Sequence, residues 1–177
     1  PDDPRPIDEW AATHQVSTDM NGNEACLQCH DSIRADVTAH TRHAGGSSGN
    51  SCYNCHMPYT SYGLLKTVRS HTISSPDVSE SVSLKRPNAC NLCHLDRSAR
   101  WVSKRMVEWY GHEPAELTEQ EESVAGWVML VLQGDSVQRA IAIWHAGWQP
   151  ARDAARHRLR QSTPSRDRRL FSLLLLF

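Results

Sequence analysis

Six cysteines form three copies of one short pattern, Cys-x-x-Cys-His. This pattern is the attachment signature of c-type haem, because two thiols on one turn of chain add to the two vinyl groups of one porphyrin. The histidine that follows then lies beneath the iron as its proximal ligand. The pattern therefore predicts three haem c groups, each with its iron. The three copies are Cys26, Cys29 and His30; Cys52, Cys55 and His56; and Cys90, Cys93 and His94.

Two other uses of paired cysteines stay open. Zinc sites take such pairs two at a time, and three pairs leave one unmatched. Redox dithiols and disulfides use the same spacing, but neither needs a histidine at the next position. A histidine after every pair therefore favours covalent haem.

Three haems need three further axial ligands on the other face of the iron. We predict a helix over residues 32–43, in which a spacing of three places His40 and His43 on one face. His71 lies in a loop-like stretch before a Ser-Ser-Pro turn. We interpret His40, His43 and His71 as distal ligands, with His14 as the first substitute.

The other histidines, His112, His145 and His157, are interpreted as surface residues or as residues satisfied within the fold. Methionine is the alternative to histidine as the distal ligand of an iron. Met20 is the methionine that could take this role. Two histidines per iron are expected, which gives a lower reduction potential than a His/Met pair.

Helical periodicity dominates the chain after the third motif. A first helix carries Trp101 to Tyr110 and ends at Gly111. Thr118 and Glu121 form a capping box for a second helix that ends at Gly134. Asp135 and Gln138 do the same for a third helix, which ends between Gly147 and Pro150. Its predicted apolar stripe is Val137, Ile141 and Trp144, and that of the second helix is Val124, Val128 and Leu132.

These helices resemble one repeat of the HEAT type. The predicted fold class is mostly α with much irregular structure, in which a small multihaem cytochrome c domain precedes a short HEAT-like helical domain. The predicted segments are an extended arm (1–22), a trihaem domain (23–97), the helical segment (98–150) and an Arg-rich helical tail with an apolar end (151–177). We expect the helix in this tail to start at Ala151 and to break at Pro164.

The composition of the chain limits the classes of partner that we expect. Across 177 residues the formal net charge is -1 and the pI is about 6.9, so no strongly basic or acidic bias suggests nucleic acid or an anionic membrane as the main partner. No apolar run approaches the roughly 20 residues of a transmembrane helix. Haem attachment takes place outside the cytoplasm, so we expect a periplasmic or extracellular protein. No signal peptide is visible, and the Pro-rich start fits either a processed terminus or a piece of a longer chain.

The stretch from Val37 to Pro76, followed by Arg86 to Asp96 and Trp101, resembles bacterial multihaem c-type cytochromes in which a small haem domain precedes helical repeats. Some of these are relatives of the cytochrome c554 and ammonia-forming nitrite reductase lineage. The resemblance covers about residues 23–112 and implies that His40, His43 and His71 are axial ligands. Nitrite reductases of that lineage carry more haems, one of them with an open distal site and often a Cys-x-x-Cys-Lys motif. These 177 residues contain no such motif, so nitrite reduction is not carried over.

Electron transfer through three bis-His haems is the first hypothesis, with redox proteins as partners. An oxidoreductase with one open distal site, acting on a small nitrogen or oxygen substrate such as nitrite, is the alternative. A third hypothesis is a homo-oligomer, a filament or a subunit of a larger redox complex, in which His14 of a neighbouring copy supplies a ligand.

Overall fold

The computed structural model describes residues 20, 22–62 and 66–161. Helices and irregular connections dominate these residues, which confirms the predicted mostly α fold class. They form two compact units, one that ends at Asn54 and one that begins at Cys55. The four segments predicted from composition stay a prediction.

Three short α-helices precede the second motif in the described residues of the first unit. Asp36 interrupts the helix that was predicted over residues 32–43, because its carboxylate accepts a hydrogen bond from the Ala39 amide and caps a new helix. Arg42 then takes a left-handed conformation (φ 58°) and ends that helix. The prediction of a single helix with both histidines on one face is therefore wrong, since His43 lies beyond the helix end. The elements are α1 (Glu24–Leu27), α2 (Asp31–Arg34), α3 (Val37–Thr41) and a 3₁₀ turn (Ser48–Asn50).

Amide side chains connect these elements. Asn23 donates to the Asn50 carbonyl at 2.8 Å and accepts from the Cys52 amide at 2.9 Å. Asn50 in turn donates to the Thr41 hydroxyl at 3.1 Å and to the His43 carbonyl at 3.2 Å. The residues before the first motif are thus tied to the start of the second motif by hydrogen bonds.

The second unit begins within helix α4 (Cys52–His56), which contains the boundary between the units. Two antiparallel strands follow, β1 (Tyr59–Tyr62) and β2 (Lys66–Arg69), with Tyr59 opposite Arg69. The later elements are α5 (Val78–Ser83), a 3₁₀ turn (Cys90–Leu92), α6 (Ala99–Tyr110), α7 (Glu119–Ser123), α8 (Gly126–Gln133), α9 (Ser136–Gly147) and α10 (Gln149–Gln161).

The predicted caps are confirmed. Gly111 closes α6 in the left-handed conformation (φ 69°), and the Thr118 and Asp135 capping boxes open α7 and α9. The second predicted helix is wrong as one element, because Val124 is extended and separates α7 from α8. In the tail, α10 begins at Gln149 rather than Ala151, and the predicted break at Pro164 lies outside the described residues.

The apolar core of this unit lies between α5 and α6, where Val78, Val102 and Met106 are buried together. The apolar stripes predicted for the second and third helices are wrong in part, because one residue of each is exposed to solvent. Leu132 is 71% exposed and Trp144 is 42% exposed. On α9 the buried side chains are instead Ile141, Ala142 and His145.

Candidate functional site

Each Cys-x-x-Cys-His motif lies on a short helical turn. In the first and third motifs the histidine amide donates to the carbonyl of the first cysteine, at 3.1 Å for His30 and 2.8 Å for His94. The second motif is the whole of α4. Both thiols of a motif therefore belong to one turn of chain, the arrangement that thioether attachment needs. None of the six cysteines, all of which lie in the described residues, forms a disulfide.

Within the first unit, the thiol of Cys52 lies beside that of Cys26. Burial raises the pKa of Cys52, and the neighbouring Cys26 thiol raises it further. Neither thiol is fully exposed. The first cysteines of the first two motifs are thus neighbours.

Within the second unit, Cys55 lies beside both cysteines of the third motif. Burial raises the pKa of Cys90 and of Cys93 to about 12, and Cys55 is the next largest cause in each case. Both residues keep some solvent-exposed surface, but the sulfurs lie deep enough among protein atoms for burial to dominate. The guanidinium of Arg69 acts in the opposite direction on Cys93. The thiols of the second and third motifs are therefore close enough to interact electrostatically.

Backbone carbonyls orient two of the predicted iron ligands. Nδ1 of His56 lies 3.0 Å from the Ser74 carbonyl, and Nδ1 of His43 lies 2.6 Å from the Thr41 carbonyl. A carbonyl oxygen only accepts, so each Nδ1 carries the proton and each Nε2 carries the lone pair. Metal-binding histidines are usually held in this way.

His94 and His30 have different surroundings. The His94 ring lies 5.2 Å from the ring of Trp101, and the guanidinium groups of Arg97 and Arg105 lie over the same indole at 5.0 and 5.7 Å. Burial, and then the charge of Arg105, lowers the pKa of Arg97. His30 is exposed at the start of α2.

The predicted distal ligands lie in unlike positions. His40 is half-buried in the last turn of α3, and His43 is half-buried against Gly49 of the following 3₁₀ turn. His71 is exposed, and His14 lies outside the described residues. Whether these four residues bind iron stays a prediction.

Sequence reasoning placed no function on His145, which is fully buried on α9. Its ring contacts those of Tyr59, Trp144 and Trp148, with centroid separations of 6.0, 4.8 and 5.1 Å. The available signal was the spacing of four between Ile141 and His145, which places both on the buried face.

Comparison with protein families identifies the chain. Residues 39–158, about two thirds of it, match the model described as cytochrome c552. The chain belongs to the cytochrome c552 family. Membership implies haem c and its iron, used for electron transfer or for nitrite-reductase-like activity. No curated protein and no solved structure matches this cytochrome.

The matched residues contain the second and third motifs completely, together with His40, His43 and His71, whereas the first motif precedes them. The side chains of the matched region fit haem c. Cys90 and Cys93 lie on one turn of chain with His94, and Nδ1 of His56 faces the Ser74 carbonyl, so Nε2 is the nitrogen that would bind iron. Within the described ranges, no three His, Cys, Asp or Glu side chains are grouped as a metal-ion site.

Proposed function

We propose that this cytochrome transfers electrons through three haem c groups with histidine on both sides of each iron. The thioether positions are the six cysteines, and His30, His56 and His94 are the proximal ligands. His40, His43 and His71 are the proposed distal ligands, with His14 as the substitute. When bound, haem c supplies an iron that gains and loses one electron.

The observation that carries this proposal is the arrangement of the thiols. The Cys52 thiol is hydrogen-bonded with that of Cys26, and Cys55 is close enough to Cys90 and Cys93 to interact with them electrostatically. Because thioether bonds would attach each haem at its own two cysteines, neighbouring thiols would hold the attached haems near one another. This supports a serial route in which the second haem connects the first with the third.

The polypeptide also sets the electronic surroundings of the irons. A carbonyl that accepts from Nδ1 makes an imidazole a stronger donor to iron, which stabilises the ferric state. His56 and His43 have such acceptors in Ser74 and Thr41. Positive charge favours the reduced haem, and Arg97 and Arg105 supply it next to the ring packed on His94.

The remaining parts of the proposal concern location and partners. We place the mature protein in the periplasm or outside the cell, where c-type haem is attached. Among the described residues, no helix is long and apolar enough to cross a bilayer. The helices α8 to α10, which pack in sequence, serve as a HEAT-like surface for redox partners, for further copies of the chain or for a larger redox complex.

The test begins with the purified holoprotein. We expect pyridine haemochrome absorbance to give three haems per chain and electron paramagnetic resonance to show low-spin ferric iron throughout. The ferrous spectrum should not change with carbon monoxide at neutral pH, because both axial positions of every iron are filled. In matched variants, C26A/C29A, C52A/C55A and C90A/C93A should each lower the haem count from three to two.

Zinc in place of iron, or a wild-type haem count other than three, would overturn the proposal. Carbon monoxide binding by one haem of the wild type would instead support the open-site oxidoreductase. Nitrite consumption by the reduced protein, followed with the same variants, would then identify the haem responsible.

A further inference from the structure

His145 contains a buried nitrogen that has no partner within the described part of the chain. Its side chain is 0% exposed, and Nδ1 lies 2.8 Å from the Ile141 carbonyl, so Nδ1 carries the proton. Nε2 then carries the lone pair, yet it is buried and has no hydrogen-bond partner among the described residues. Buried acceptors are normally bound by something, because removing them from water costs free energy.

The surroundings keep this imidazole neutral. The rings of Tyr59, Trp144 and Trp148 surround it, and burial lowers its pKa below the usual value for histidine. The backbone carbonyl at Nδ1 fixes the ring orientation and the tautomer. A neutral imidazole held at Nδ1 with a basic Nε2 is the form of histidine that binds iron.

A short series of contacts connects His145 with the third motif. Helix α8 contacts both α9, which carries His145, and the 3₁₀ turn Cys90–Leu92 of the third motif. Trp127 of α8 donates to the Ala142 carbonyl on α9 at 2.6 Å. On its other side the His145 ring contacts Tyr59 of β1.

We propose that His145 is the distal axial ligand of the haem attached at Cys90 and Cys93, with His94 as its proximal ligand. This inference rests on the proposed function, since it requires a haem at the third motif. The two histidines come from different elements: the His94 ring packs on Trp101 of α6, and His145 belongs to α9. His71, which is exposed, is then not needed as a ligand of this haem.

The experiment compares H145A with H71A and with H157A, which removes an exposed histidine of the same unit. The H145A holoprotein should keep three haems by pyridine haemochrome. One of its three haems should become high-spin in electron paramagnetic resonance and should bind carbon monoxide when reduced. Added imidazole should restore the low-spin signal, whereas H157A should match the wild type.

Further variants assign the haem. H145A in the C90A/C93A background should have no added effect, because the affected haem is then missing. If H145A prevents folding, H145M is used: methionine ligation should raise the potential of one haem and change its spectrum. The proposal is overturned if H145A and H145M leave all spectra and potentials unchanged, or if H71A alone opens the third haem. If the wild type contains only two haems and lacks the one at the third motif, the proposed function itself is contradicted. The haem count therefore distinguishes a failure of the proposed function from a failure of the His145 assignment.

Discussion

Replacing Gly49 with alanine tests whether His43 is an axial ligand, because the His43 ring packs directly on this glycine. A methyl group at position 49 would lie 2.1 Å from Cδ2 and 2.4 Å from Cγ of His43, whereas ordinary contacts of such an atom begin at 3.4 Å. The ring must therefore move by about 1.3 Å, while iron–ligand distances tolerate only about 0.2 Å. The movement also strains the 2.6 Å hydrogen bond from Nδ1 to the Thr41 carbonyl, which contributes about 1 kcal/mol.

We therefore expect the G49A holoprotein to keep three haems and to lose one distal ligand. The measurement is the ferrous spectrum with carbon monoxide, together with the count of low-spin haems at neutral pH. G45A is the matched control, because a methyl group at Gly45 would meet only the Thr38 hydroxyl at 3.9 Å, an ordinary contact. H43A should reproduce the effect of G49A.

G49A and H43A together distinguish an error in the steric argument from an error in the ligand assignment. If H43A opens a haem and G49A does not, the steric reasoning is wrong and the ligand assignment survives. If both proteins keep three closed low-spin haems, His43 is not a ligand and the proposed distal set must change.

Three further predictions concern stability and thiol chemistry. N23A removes the hydrogen bonds to the Asn50 carbonyl and from the Cys52 amide, so we expect a loss of about 1–3 kcal/mol in guanidinium unfolding of the holoprotein. Q28A, which loses one exposed bond within its own turn, is the control, and a cost of N23A no larger than that of Q28A would contradict the reasoning. At pH 8 a pKa of about 12 gives Cys90 and Cys93 about 1,000-fold less thiolate than a pKa of 9.0 would give them. The more basic thiolate is about 20- to 30-fold more nucleophilic, so alkylation in the haem-free chain should be slowed about 30- to 60-fold by the raised pKa, with exposed Cys29 alkylated alongside for comparison. Because these folded-state pKa values are raised, the stability that Cys90 and Cys93 contribute to the folded haem-free chain should be fully present below about pH 9 and should be lost progressively between about pH 9 and 12. Equal alkylation of all six thiols would contradict the burial of these two thiols in that form.

The caps and the haem motifs were predictable because they depend on residues three or four positions apart. Thr118 with Glu121 and Asp135 with Gln138 form their capping boxes wherever the helix later packs. The break at Asp36 was missed although its signal was also local. An aspartate in an otherwise helical run competes for the backbone, and here its carboxylate caps a new helix at Ala39.

Burial was predicted less well, since it depends on which elements meet. Periodicity assigned Leu132 and Trp144 to apolar stripes, yet both are exposed. His145 is buried in their place because β1 packs on α9 and brings Tyr59 against its ring. A pattern read along one helix shows an apolar face but does not show which neighbour covers it.

The residues alone determined the covalent chemistry of this cytochrome, because attachment needs only two thiols and a histidine on one turn of chain. Tertiary structure decided which thiols are neighbours, since the proximity of Cys55 to Cys93 depends on packing between segments 38 residues apart. It also decided that His145, rather than a histidine with a recognisable motif, holds a buried nitrogen without a protein partner in the described chain. The physical reason is that bond geometry is local, whereas burial and electrostatic contact arise only when distant segments pack together.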